Sequence, residues 1–193
     1  MYYLVDMYND KTNFIDGIDS DTCQKILNSS TIISETLEFY YLGKCVSDSF
    51  DTLIQWSYSA NPSSNYIMRN LHTAERLVRG FLFELRTCLD HMETKIKQEY
   101  GKTSEFLKVF EDSTHATYNV HPEYAFTYHL RNVSQHCQNI VHGFNSPTGI
   151  GISCNVQKLL NEYDKWKPVD KDYMINSGEN VDLLKTFSVA FQA

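Results

Sequence analysis

The chain is 193 residues long, carries a formal net charge of −7, and is 42% apolar, with 13 Tyr and 11 Phe. That is enough for one large domain, or for one domain with a small appendage. The acidic balance argues against a general nucleic-acid coat protein, and no run of roughly 18 apolar residues exists to span a membrane.

The acidity is uneven. Residues 1–62 hold three Lys/Arg against nine Asp/Glu, residues 63–143 hold nine of each, and residues 144–193 hold five and six. The middle is therefore free to present local basic stripes. The cysteines (Cys23, Cys45, Cys88, Cys137 and Cys154) are scattered and form no CxxC pair. Cys88 and Cys137 fall on helical apolar seams, so buried, reduced thiols are expected. The start MYYLVDMYNDKTNF has neither the basic opening nor the apolar run of a signal peptide, and a cytoplasmic protein is expected. The Cys and His residues lack zinc-ligand spacing, so neither a metal nor a cofactor is expected.

In chain order, YYLVDMY at 2–8 has strand propensity but weak alternation, and suits either a strand or an extended arm. Residues 9–21 read as a turn-rich connector, and Asp21 is placed to cap a short helix over 22–28. A long helix is predicted over 31–60, with Gly43 a possible irregularity and Asn61-Pro62 its breaker. The next segment, 64–100, gives the longest helical pattern. Ile67, Leu71, Ala74, Val78, Phe81, Leu85, Cys88, Met92 and Ile96 keep a three-four rhythm, Ser64 is placed as N-cap, and Gly101 ends it. Gly80 is the natural place for a kink. On the polar side, Arg69, Arg76, Arg79 and Arg86 are spaced to form one guanidinium stripe. Asp90 can pair with Arg86 one turn on.

A short helix is predicted over 103–112, capped by Thr103 or Ser104, with Phe106, Leu107 and Phe110 inward and STHATYN as the linker after it. The stretch 119–144, NVHPEYAFTYHLRNVSQHCQNIVHGF, reads as one amphipathic helix. Phe126, Leu130, Val133, Cys137, Ile140 and Phe144 form its apolar seam, Pro122 and Glu123 suit its first turn, and Gly143 is placed to end it. Beyond it, SPTGIGISCNV suggests a turn and a short strand. Residues 156–163 and 180–191 suggest two modest helices, separated by a polar stretch containing Trp166 and Pro168. The chain stops on Ala193 without a terminating motif, as the front part of a longer polypeptide would. The expected fold is mainly α: an N-terminal arm and short helix (1–30), a bundle of long antiparallel helices (31–144), and an appendage with a short strand and two short helices (145–193), with minor β at the termini.

The polar face of 119–144 holds Arg131, Asn132, Gln135, His136 and His142 in place of the usual Lys/Glu alternation. At roughly 100° per residue, Arg131 and His136 lie about 140° apart around the axis, so a long Arg must swing toward the imidazole to share a groove. Such a groove suits a phosphodiester. The guanidinium supplies charge and forked donors for an oxyanion, and the imidazole moves a proton near neutral pH. RNA brings its own nucleophile in the 2′-hydroxyl.

Arg131-Asn132-Val133-Ser134-Gln135-His136 resembles the signature of the HEPN superfamily, small all-α domains of toxin–antitoxin, CRISPR-associated and phage-defence ribonucleases. Their motif is an Arg, commonly followed by a polar residue such as Asn, and then four to six residues to a His. The wider block from FELRTCLDHMETKIKQEYG to YAFTYHLRNVSQH is also similar to bacterial HEPN-like proteins. The resemblance implies a helical bundle and a homodimer whose two motifs face each other in one composite cleft. It further implies metal-independent cleavage of RNA to 2′,3′-cyclic phosphate ends. Arg131 would then stabilise the phosphate, His136 would handle proton transfer or orient the scissile group, and Asn132, with Gln135 beside it, would support the site. An antitoxin or another defence-system protein is an implied partner. The alternative is a non-catalytic HEPN-like module that uses the same face to bind a nucleotide or a protein.

Plainer readings stand beside these. Arg131 and His136 also suit ordinary inter-helix hydrogen bonding. Arg86 with Asp90 suits a structural ion pair, and Arg86-x4-His91 repeats the Arg-x4-His spacing. Arg69, Arg76 and Arg79 suit either a solvated face paired with Glu75 or an RNA-backbone track, for which Arg86 and His142 are further candidates. His142 suits a helix end, where it would meet the C-terminal dipole.

Overall fold

The computed structural model describes residues 2–8, 11–60, 67–136, 139–144 and 151–193. The chain divides into two compact units, Met1–Leu42 and Gly43–Ala193. The division falls inside the first helix.

The first unit opens with an antiparallel hairpin of β1 (Tyr2–Tyr8) and β2 (Lys11–Ile18), paired from Tyr2 against Ile18 to Tyr8 against Lys11 with a register shift between Leu4 and Val5. The segment read as a turn-rich connector is thus largely a strand. Asp19 then caps α1 (Ser20–Ser59): its carboxylate accepts from the Thr22 N–H and the Thr22 hydroxyl, each at 2.8 Å, which also holds its pKa below the usual value. The helix expected in two pieces, 22–28 and 31–60, is one element of 40 residues. Asn28, Ser29 and Ser30 look like a break, yet each costs only about 0.5 kcal/mol in a helix interior. Restarting a helix would need a second unfavourable nucleus. Thr31 and Thr36 turn their hydroxyls onto the Leu27 and Ile32 carbonyls, and the helix runs through Gly43 without a break.

The second unit begins with the rest of α1, where Val46 and Leu53 are buried. Phe50 meets Phe81 of α2 (Ile67–Tyr100) at 5.3 Å between ring centroids. The helix α2 passes unbroken through Gly80, whose missing Cβ would sit 3.8 Å from the Ser49 hydroxyl in ordinary contact. Ala74, Val78, Phe81 and Cys88 are buried, as the three-four rhythm predicts, and Leu82, outside that rhythm, is buried with them. Ser64 lies outside the described residues. Gly101, at φ 92°, ends α2.

Ser104 caps α3 (Glu105–Val120) by accepting the Leu107 N–H at 3.2 Å. This helix continues through the expected linker STHATYN because tertiary contacts outweigh its weak local propensity: Tyr118 packs edge-on against Tyr128 and His129 of α4 (Pro122–His136). Leu107 is buried, whereas Phe106, expected inward, is exposed and rests on Tyr100. Contacts from Arg79 to Ser134 and from Arg86 to Tyr128 set α4 antiparallel to α2.

The helix α4 ends at His136 rather than near Gly143, which lies in strand β3 (Gly143–Phe144). Strands β3, β4 (Ile152–Asn155) and β5 (Asn180–Asp182) form an antiparallel sheet in that order. Around it lie α5 (Val156–Glu162), α6 (Pro168–Asn176) and α7 (Leu183–Gln192). The region read as a polar spacer therefore contains α6, and its Trp166 is buried, stacked on Phe126 at 5.6 Å and donating its indole N–H to the Leu159 carbonyl. Phe81, Phe126, Phe187, Leu130, Ile140, Ile152 and Met174 are fully buried and join the helices to the sheet. The fold is mainly α, and among the described residues no helix is long and apolar enough to cross a membrane.

Candidate functional site at the end of α4

The apolar seam of α4 is real where it is helical: Phe126, Leu130 and Val133 are fully buried. Cys137 and Gln138 lie outside the described residues. Ile140 is fully buried but sits beyond the helix, so a buried loop residue continues the helical spacing.

Three residues of the motif lie on the last two turns of α4 around Arg131. Its Nη1 donates to Gln135 Oε1 at 2.6 Å and reaches Asn132 Oδ1 at 3.5 Å. Arg131 and Asn132 are half-buried, while Gln135 and His136 are exposed, with His136 in the last turn. No hydrogen bond joins Arg131 to His136 among the described residues. The two are brought to one helix end, not into contact.

The guanidinium stripe of α2 is split by the packing. Arg69 and Arg76 are exposed. Arg79 is half-buried; its Nε donates to Glu75 Oε1 at 2.6 Å and its Nη1 to the Ser134 carbonyl. Glu75 in turn accepts the Ile140 N–H at 3.0 Å and the Val141 N–H at 2.8 Å. One carboxylate and one guanidinium thus fix both the last turn of α4 and the chain leaving it. The sequence reading paired Glu75 with Arg79 but missed the hold on 140–141; the only local signal is their i, i+4 spacing. Arg86 is equally committed: it pairs with Asp90 at 2.8 Å, donates to the Tyr128 hydroxyl, and lies 4.7 Å from the Tyr128 ring centroid. Despite desolvation, which opposes its charge, Tyr128 and Asp90 leave its pKa raised.

His142 is not at a helix end. It precedes β3, and its Nδ1 accepts the Asn155 N–H at 2.9 Å while its own N–H donates to the Ser153 carbonyl at 2.8 Å. Burial, and then Lys158, push its pKa below the ordinary histidine value. It braces the sheet.

Among the described residues no group of three or more His, Cys, Asp and Glu could hold a metal ion. The described cysteines Cys23, Cys45, Cys88 and Cys154 are free thiols, and Cys88 and Cys154 are buried. No protein-family model, curated protein or solved structure significantly matches the chain.

Proposed function

We propose that this chain is a metal-independent endoribonuclease of HEPN type, with Arg131 and His136 as half of a site completed by a second copy. The observation that supports this reading most is the company Arg131 keeps. Arg79 and Arg86 are neutralised by Glu75 and Asp90, whereas among the described residues the Arg131 guanidinium donates to the amides of Gln135 and Asn132. An amide fixes a guanidinium without cancelling its charge, which leaves that charge for a phosphate.

In the proposed reaction the 2′-hydroxyl oxygen bonds to phosphorus and the bond from phosphorus to the 5′-oxygen breaks. One imidazole takes the 2′-hydroxyl proton, and the other copy's imidazole protonates the departing 5′-oxygen. Arg131 stabilises the charge that builds on the phosphoryl oxygens. The exposed Arg69 and Arg76 would meet more distant phosphates, and phage defence or toxin–antitoxin control, with an antitoxin as partner, would be the setting.

The test is RNA cleavage in EDTA, with product ends examined for 2′,3′-cyclic phosphate. Cleavage is expected from the wild-type chain and not from folded Arg131→Ala or His136→Ala. Cleavage that persists in both variants removes the assignment. No cleavage by the wild type, with a nucleotide or protein held on this face, establishes the non-catalytic HEPN-like module instead.

A further inference from the structure

A cleft of about 780 Å³ opens between α2, α3, α4 and the start of α6, within the size range of small-molecule sites. Aromatic rings of Phe110, Tyr118, Tyr124 and Tyr128 line it, and His129 reaches it from α4. The Nδ1 of His129 lies 2.7 Å from Asp170 Oδ2, and that same oxygen accepts the Lys167 N–H at 2.9 Å.

Asp170 is fully buried, and its other oxygen, Oδ1, is sealed from solvent without a hydrogen-bond partner. Capping α6 does not require this. Asn155 and Asp182 cap α5 and α7 from less buried positions. A bare oxygen on a buried carboxylate is costly and calls for a reason beyond the cap. The reason available is His129: a carboxylate at Nδ1 fixes the ring and its tautomer, leaving Nε2 as an acceptor when the ring is neutral. Nε2 has no hydrogen bond among the described residues and is not among the sealed polar atoms.

The Tyr118 hydroxyl lies 3.4 Å from the same Nδ1, whose proton points to Asp170. Burial, followed by the Asp170 charge, pushes the Tyr118 pKa up to about 12, so the hydroxyl keeps a proton to donate. Charge on the walls is balanced: Asp90 pairs with Arg86, Glu93 with Lys97, and the remaining Glu111 and Lys167 have opposite signs.

Aromatic walls, one acceptor, one donor and little net charge select for a flat, uncharged, hydrogen-bonding ring. We infer that this cleft binds a small heteroaromatic ligand of nucleobase or nucleoside kind, with His129 Nε2 accepting a ring N–H and Tyr118 donating to a ring acceptor. Asp170 is the positioning residue for His129. The inference uses neither Arg131 nor His136 and stands apart from the ribonuclease reading.

The test titrates the full chain with adenosine, guanosine, cytidine and uridine by calorimetry and ligand-observed NMR. At least one nucleoside is expected to saturate with a Kd below about 1 mM. His129→Ala and Phe110→Ala should each weaken it by about tenfold or more, and Arg131→Ala should leave it unchanged. Circular dichroism checks the fold of each variant. Phe110→Ala decides the matter alone if His129→Ala, which strands the Asp170 carboxylate, fails to fold. The inference is overturned if no nucleoside saturates, if folded cleft variants bind as the wild type does, or if choline or spermidine displaces the nucleosides.

Discussion

The chain contains two Arg-x4-His patterns of equal spacing, Arg86 to His91 on α2 and Arg131 to His136 on α4. Their surroundings separate them. Arg86 is closed into an ion pair, a hydroxyl contact and a cation–π contact, so its charge is committed within the fold. Among the described residues the Arg131 guanidinium is held by amides, and it lies near the helix end that also carries the exposed His136. The difference teaches that spacing alone does not nominate a phosphate site. What nominates it is a fixed guanidinium whose charge remains uncancelled.

The largest expected effect tests that contrast directly. Arg131→Ala should lower RNA cleavage by about 10²–10³-fold, the loss typical of removing one oxyanion donor, with a melting temperature close to wild type. Arg86→Ala should retain most cleavage while melting earlier. Equal catalytic losses in the two variants would break the comparison. Stability should respond most strongly at Glu75. Removing its carboxylate strands the Ile140 and Val141 N–H groups and the Arg79 guanidinium, so Glu75→Ala should cost about 2–4 kcal/mol in urea unfolding. A cost under about 0.5 kcal/mol would mean that the end of α4 is held by something else. Arg86→Ala, whose ion pair is partly exposed, should cost less, about 1–2 kcal/mol.

These contrasts also mark what the sequence makes legible. The helix α2 and the first half of the α4 pattern could be read because one buried face repeats with the helical period, from Ala74 to Cys88 and from Phe126 to Val133. The end of α4 could not, since Ile140 is buried in a loop on the same spacing that a helix would use. Nor could the role of Glu75, whose bonds to 140–141 span 65 and 66 residues of chain. The motif residues Arg131, Asn132, Gln135 and His136 were legible as an unusual polar face. The pairs of Arg79 with Glu75 and of Arg86 with Asp90 were legible from their spacing on α2, but the contacts of these arginines to Ser134 and Tyr128 were not, because they depend on α4 approaching them. His129 passed unremarked beside the motif, and Asp170 lay in a stretch that reads as polar spacer.

The smallest expected effect separates His142 from His136, two histidines that the sequence places on one polar face. In the folded chain, Nδ1 of His142 accepts the Asn155 N–H, so a proton there would have to displace that bond. Burial first, and Lys158 second, depress its pKa below the unfolded value of about 6.5. The unfolded chain therefore binds this proton more readily than the folded one. The stabilising contribution is complete above about pH 6.5 and is lost as the pH falls through the lowered folded value. His142→Gln removes that proton linkage. Urea midpoints measured from pH 8 to pH 5 should fall less steeply in His142→Gln than in the wild type. Parallel slopes for wild type and His142→Gln would return His142 to the solvent-facing set with His136, and the division between bracing and reactive histidines would fail.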